Sequence, residues 1–259
     1  MSRYMNLTVV EVQGPDRILA RETPGPTASD ETMEYVSFFK EMNDYFNNDV
    51  LTFESHSPKP NEICAALHSQ NNKWYRVRVR EILMTLSGAK ADCLFLDTGE
   101  KQMVQTVKIQ KIPERFLTLP FQIKVFALYG LQPLSLVLDS TMRVSNRPCK
   151  KWDKSAATYI KKMINHASAI QAVIKSKGEG SVLLTMIYLR FFDNDEIVSL
   201  NDELINKGYA IKDPQLTKLS DKETNAFLQD DLLTKDGLKY WPFFSLSLSL
   251  SLSLSHKPF

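Results

Sequence analysis

Between Glu62 and Ile112 the chain breaks into four short segments, "EICAALHS", "KWYRVRVREIL", "ADCLFLD" and "KQMVQTVKIQKI", set apart by turn residues at roughly ten-residue spacing. Alternation of apolar and polar residues with a period of two makes each a strand with one buried and one wet face. Strands so short and so evenly spaced close into a small barrel or sandwich, because a flat sheet of them would leave edges and apolar faces open to water. A polar loop around Pro58 and Pro60 precedes the block and "PERFLTLP" follows it. A compact all-β unit of about residues 58–115 is therefore expected.

The flanks read differently. "YMNLTVVEVQ" and "RILAR" form a hairpin around Gly14-Pro15-Asp16. "DETMEYVSFFKEMNDYFNN" is helical: Tyr35, Phe38, Phe39, Met42, Tyr45 and Phe46 recur at three- and four-residue spacing, with Asp30 as the expected N-cap. Downstream, "QIKVFALYGLQPLSLVLD" returns to strand character. "DKSAATYIKKMINHASA" is a second helix capped by Asp153, and "IQAVIKSK" and "SVLLTMIYLRFF" are strands joined at Gly178-Glu179-Gly180. "SLNDELINKG" is a short helix started by Ser199 or Asn201 and stopped by Gly208. The fold class is α+β, mostly β, with a five-stranded barrel set inside a second β-rich fold.

Residues 213–259 are polar and weakly patterned and close on "SLSLSLSLSLS". A pure dipeptide repeat has no unique strand register, so a low-complexity tail, disordered or adventitious, is expected there, with a truncated splice form as one source of it.

Composition narrows the function classes. Of 259 residues, 43% are hydrophobic and 24% charged, and the net charge of +2 offers no strong electrostatic attraction to nucleic acid or membrane. The N-terminus lacks the apolar stretch of a signal peptide, and no apolar run approaches the roughly 20 residues of a membrane span. Three widely spaced cysteines fit a reducing compartment, and a soluble intracellular protein is expected.

Phosphate-loop, dinucleotide, zinc-protease, serine-hydrolase and calcium-loop motifs are missing from the sequence. His56, His68, His166 and His256 do not pair at ligand spacing, so neither a metal nor a cofactor is expected, and His68 reads as a surface residue. Cys64 and Cys93 lie on apolar segments and read as core. "RVRVR" places Arg76, Arg78 and Arg80 on one strand face and two valines on the other: a solvated face, or alternatively an RNA-contacting stripe.

Three motifs together resemble one family. "CAAL", "WYRVRV" and "CLFLDTGE", followed by "IPERFLTLPFQIKVFALYGLQP", are similar in order and spacing to an extended Tudor domain, over about residues 5–212. "PCKKWDKSAATYIKKMI" and "SLNDELINKGYA" further resemble the N-terminal Tudor region of the Tudor domain-containing protein 12 and insect Yb family. The resemblance implies an extended Tudor domain over residues 1–212. Its Tudor barrel core, about 58–118, sits inside a split staphylococcal-nuclease-like (OB-type) fold with flanking helices. It also implies a non-catalytic protein-interaction scaffold of the germline PIWI-interacting RNA pathway, active in transposon silencing, spermatogenesis, meiosis and differentiation. The implied partners are PIWI-clade and other Tudor-pathway proteins in cytoplasmic germ granules, with no small-molecule substrate. Full-length relatives carry an RNA helicase region that this chain lacks, so the alternatives are an RNA-binding module or a regulatory fragment of such a helicase.

Family members bind methylated arginine in an aromatic cage. Carried over residue by residue, the walls fall at Leu67, where relatives have Phe, at Tyr75, at Phe95, and at Thr98, which replaces a Tyr. Glu100 replaces the Asn that contacts the guanidinium, while Asp97 and Gly99 keep the turn. Losing two walls at about one to two kcal/mol each lowers affinity by about tenfold to several hundredfold, which implies a degenerate cage.

Overall fold

The computed structural model describes residues 4–48, 56–86, 88–138, 140, 142, 144–178, 181–192 and 196–213. The chain opens with the hairpin β1 (Tyr4–Gly14) and β2 (Arg17–Glu22), paired antiparallel. Helix α1 (Asp30–Asn48) follows. Then come the five short strands β3 (Ile63–Leu67), β4 (Trp74–Thr85), β5 (Gly88–Phe95), β6 (Lys101–Gln105) and β7 (Ile109–Lys111). The second half holds β8 (Lys124–Leu128), β9 (Leu131–Leu138), β10 (Val144–Pro148), α2 (Lys154–His166), β11 (Ala167–Lys177), β12 (Leu183–Phe191), β13 (Ile197–Ser199), α3 (Leu200–Asn206) and β14 (Ala210–Lys212).

Two five-stranded units result. In the first, β11-β1-β2-β8-β12 closes on itself because β11 also pairs with β12, and β13 extends it beyond β12. Its interior is apolar: Leu7, Val12, Ile18, Phe126, Ile187 and Leu189 pack against Ile160 of α2 and Leu200 and Leu204 of α3. In the second, the order is β6-β5-β4-β3-β7. Val104 of β6 and Ile109 of β7 stand on opposite edges of that sheet yet share one cluster with Cys64, Ala66, Val77, Val79, Cys93 and Phe95. The sheet must curl into a barrel for both edges to reach the same core. It is inserted between β2 and β8, the arrangement expected of a Tudor barrel within a split nuclease-like fold.

Helix α1 joins the units. Its buried Met42 and Phe46 pack with Ala65, Trp74, Ile112 and Phe116, a cluster on the outer face of β3 and β4. Asn43 clamps the backbone of Trp74 from both sides, donating to its carbonyl at 3.1 Å and accepting from its N–H at 2.8 Å. The apolar stripe of α1 is thus an interface, which explains why so many aromatic residues are needed on one helix.

Local signals were close but not perfect. The cap of α1 is Ser29 rather than Asp30: the Ser29 hydroxyl accepts from the Thr32 N–H at 3.2 Å, and the buried Glu22 accepts from the Ser29 N–H and the Thr32 hydroxyl. Asp153 caps α2 as expected, but α2 ends at His166 and β11 starts at Ala167, so "ASA" is strand. Ser199 caps α3, while Asn201 is buried, donating to the Tyr129 carbonyl and accepting from the Ile187 N–H. The three-stranded sheet β10-β9-β14 was not foreseen, because its short outer strands carry no clear alternation. Glu179, Gly180 and the Ser-Leu tail lie outside the described residues.

Candidate functional site

The turn between β5 and β6 is built around two residues. Gly99 adopts φ +76°, a left-handed conformation. Its N–H donates to the Phe95 carbonyl at 2.8 Å, while the Phe95 N–H donates to the Glu100 carbonyl at 2.9 Å. Val10 of β1 lies over Gly99, and a Cβ there would come within 2.4 Å of its Cγ1. The turn needs glycine for its backbone and again for the closeness of the nuclease-like unit.

Asp97 has a larger task than shaping the turn. It is fully buried and forms a bidentate ion pair with the equally buried Arg76, Nε to Oδ2 at 2.8 Å and Nη2 to Oδ1 at 2.6 Å. The remaining guanidinium donors reach the carbonyls of Leu119 at 2.5 Å, Pro120 at 3.1 Å and Phe116 at 3.4 Å. The Gln122 N–H adds a bond to Asp97 at 3.2 Å. The Arg76 Cζ lies over the rings of Phe38 and Phe121, 4.9 and 4.7 Å from their centroids. A charge taken out of water is tolerated only when its hydrogen bonds are replaced this fully. Arg76 therefore bolts β4, the cage turn, α1 and the "PERFLTLP" linker together.

This overturns the reading of Arg76 as one of three solvent-facing arginines. Alternation does place it opposite Val77, but that outer face of β4 is covered by α1 and the linker. Arg78 and Arg80 are exposed, and Arg80 pairs with Asp92 at 3.1 Å. A three-arginine RNA stripe is reduced to two residues, one of them already paired.

The cage region itself is rearranged from the expectation in one respect. Leu67 does not join it: the side chain packs outward against the α1-facing cluster. The period of two that puts Cys64 and Ala66 inside the barrel puts His68, not Leu67, on the cage side. The His68 ring stands 5.1 Å from Phe95, edge-on at 81°, and 5.6 Å from Tyr75. Tyr75 and Phe95 meet at 5.7 Å and 67°. His68 is 4% exposed, so it is no surface residue. Its Nε2 lies 2.8 Å from Oε2 of Glu100, whose side chain is 55% exposed. Phe95 is 0% exposed, leaving no ring face for a ligand.

Tyr75 is half-buried, with Phe39 of α1 at 4.9 Å and Asn71 donating to its hydroxyl at 3.0 Å. Burial raises its phenol above the ordinary value, so it stays neutral. The Thr98 hydroxyl is buried and has no partner among the described residues. Ser69 and Gln102 tie the β3–β4 loop to the start of β6, at 2.7 and 3.2 Å. His68 and Phe39 escaped the sequence reading. Strict alternation from Cys64 would have found His68, whereas Phe39 comes from a distant helix. The Cys64 and Cys93 thiols are pushed up to about 12, chiefly by burial, which removes both as thiolate nucleophiles at neutral pH.

The Tudor domain family model matches residues 1–130, half of the chain and all of the cage. The chain belongs to the Tudor family. Among curated relatives, this Tudor protein is 26% identical over 184 residues to human "Putative ATP-dependent RNA helicase TDRD12", a match covering 70% of this chain and 15% of the relative. Zebrafish Tudor domain-containing protein 1 is 24% identical over 64% of this chain and 12% of its own length. The chain thus spans a small part of each of these relatives. Among solved structures, extended Tudor domain TD3 of mouse TDRD1, in complex with a dimethylarginine-containing MILI peptide, superimposes with a TM-score of 0.53. That match has 20% identity and covers 82% of this chain and 95% of that one. The likeness establishes the extended Tudor fold for both units.

Proposed function

We propose that this Tudor protein is a non-catalytic interaction module of the PIWI-interacting RNA pathway that docks arginine-bearing segments of PIWI-clade proteins, with a degenerate cage that does not favour methylated arginine. The observation that carries it is the pair His68–Glu100: an exposed carboxylate stands at the cage mouth, anchored by a buried imidazole, beside a Phe95 no ligand reaches. A carboxylate accepts hydrogen bonds from an unmodified guanidinium, and methylation removes part of that donor set. Tyr75 supplies one aromatic face for the cation.

Extended Tudor neighbours support the ligand class. The mouse TDRD1 domain is bound to a dimethylarginine MILI peptide. A variant of the Drosophila Papi extended Tudor domain is bound to an unmethylated Piwi N-terminal peptide (TM-score 0.50, 20% identity, 82% of this chain and all of that one). Calorimetry with a PIWI N-terminal arginine peptide, unmodified and symmetrically dimethylated, tests the reading. The unmodified form is expected to bind at least as tightly; a tenfold preference for the methylated form rejects the degenerate cage. ATP turnover by the purified chain would reject the non-catalytic assignment. The same reading places the protein in cytoplasmic germ granules, which imaging of the tagged chain in germ cells checks.

A further inference from the structure

At the end of the barrel where the chain enters β3, three side chains converge that peptide docking does not use. His56 Nε2 lies 3.6 Å from Cys64 Sγ and 3.3 Å from Glu62 Oε1, and the three atoms all lie within 4.8 Å of one another. It is the one such group of metal-ligating side chains among the described residues.

The two distances from His56 fit the edges of a zinc tetrahedron. Zinc bonds sulfur at about 2.3 Å and nitrogen or oxygen at about 2.0–2.1 Å; the edges of that tetrahedron are then about 3.5 Å from S to N and about 3.3 Å from N to O. Two of the three observed edges are 3.6 and 3.3 Å, and the third, from Sγ to the Glu62 carboxylate, is within 4.8 Å. A metal ion would engage both partners at once, whereas the single proton or lone pair of the ring nitrogen is shared between them.

The surroundings also hold the ligands in place. Glu62 and Cys64 are two residues apart in extended chain and so share a face. The second oxygen of Glu62 accepts from the Lys59 N–H at 2.8 Å, which aims Oε1 at His56, as outer partners orient ligands in metal sites. The Glu62 carbonyl accepts from Val79 and the Asn61 N–H donates to the Val79 carbonyl, pinning the turn to β4. His56 also lines an open cleft of about 490 Å³ with Ser57, Ile82, Thr106, Ile109 and Gln110, from which water can complete the coordination.

We infer that His56, Glu62 and Cys64 form a Zn²⁺ site that staples the segment entering the barrel to β3, with water as the fourth ligand. A mixed sulfur, nitrogen and oxygen donor set suits zinc over magnesium or calcium, which take oxygen. The thiol proton leaves as the cation binds.

The test uses the full chain, stripped with chelator and dialysed. Titration with Zn²⁺ is expected to show one equivalent bound and a melting temperature that rises with zinc. Co²⁺ is expected to give the visible bands of a tetrahedral ion and a sulfur-to-metal charge-transfer band. His56→Ala, a partly exposed position, should melt like wild type in chelator and bind zinc roughly a hundredfold or more weakly, beyond the cost of losing an outer partner. Cys64→Ser should abolish the charge-transfer band and Cys149→Ser should keep it. No zinc bound at micromolar concentration, undiminished binding in His56→Ala, or loss of the band in Cys149→Ser in place of Cys64→Ser would overturn the site.

Discussion

Replacing Asp97 by Asn tests the assignment of the Arg76–Asp97 pair as the bolt that holds the barrel to α1 and the 116–122 linker. The amide is nearly the same size as the carboxylate, so packing changes little. It removes the negative charge and turns one of two acceptors into a donor facing the guanidinium. Arg76 then keeps its three carbonyl partners but is a buried cation without a counter-charge. Removing one partner of a buried pair costs about 3–5 kcal/mol. Against a total stability of about 5–15 kcal/mol, that is a large share. At about 2–4 °C per kcal/mol for a domain of this size, the midpoint should fall by roughly 6–20 °C. Urea unfolding followed by tryptophan fluorescence should show the midpoint shifting at constant slope, because Trp74 lies beside the pair in sequence and packs on α1. Arg76→Met with Asp97→Leu should lose less than the sum of the single changes, since no lone charge remains. It should not reach wild type, because the carbonyls of residues 116, 119 and 120 lose their donor. A change under about 1 kcal/mol in Asp97→Asn would refute the argument.

Other outcomes follow from the same geometry. Gly99→Ala should cost roughly 2–4 kcal/mol: about 1–2 for a left-handed backbone with a Cβ, and the rest from the clash with Val10. Val10→Ala should return only the second part, as read by denaturant midpoints. In the cage, His68→Phe with Glu100→Asn should raise the affinity ratio of dimethylated to unmodified arginine peptide by about tenfold, restoring one aromatic face and removing the carboxylate; an unchanged ratio by calorimetry counts against Glu100 as the discriminating group. The cysteines set an alkaline limit in chelator. Burial pushes the folded Cys64 and Cys93 thiols up to about 12 from an ordinary 9.0, so stability should be intact below pH 9 and fall between about 9 and 12, as the unfolded state loses protons first. A flat unfolding free energy across that window contradicts the burial of these thiols. At pH 8, iodoacetamide should label Cys149 on the folded chain, with Cys64 and Cys93 labelled only on unfolding, which peptide mass spectrometry checks.

How far the sequence could be read depended on whether a signal was local. Four barrel segments, both long helices, the Asp153 cap and the "DTG" turn were legible, because periodicity, capping and turn chemistry act within a few residues; the break of "KQMVQTVKIQKI" into β6 and β7 at Thr106–Lys108 was not. The ring cluster at the β5–β6 turn was legible in outline only. Tyr75 and Phe95 are brought together, but a one-residue shift in frame exchanged Leu67 for His68, which in a strand means the opposite face. Arg76 shows the other limit. A single strand specifies which residues share a face, and the same strand cannot specify what covers that face.

What the sequence by itself determined is the long elements and the family: alternation, helical spacing, and the "DTG" turn are properties of adjacent residues. What the tertiary structure decided is which polar groups are taken out of water. Arg76 became a buried bolt because α1 and the 116–122 linker, far apart in sequence, close over it. His68 became a buried ring packed on Phe95 and Tyr75 and paired with Glu100 across 32 residues. His56, Glu62 and Cys64, whose spacing matches no ligand motif, met because a turn pinned to β4 folds one back on the others. Burial and charge pairing depend on distances through space, and chain order constrains those only over a few residues.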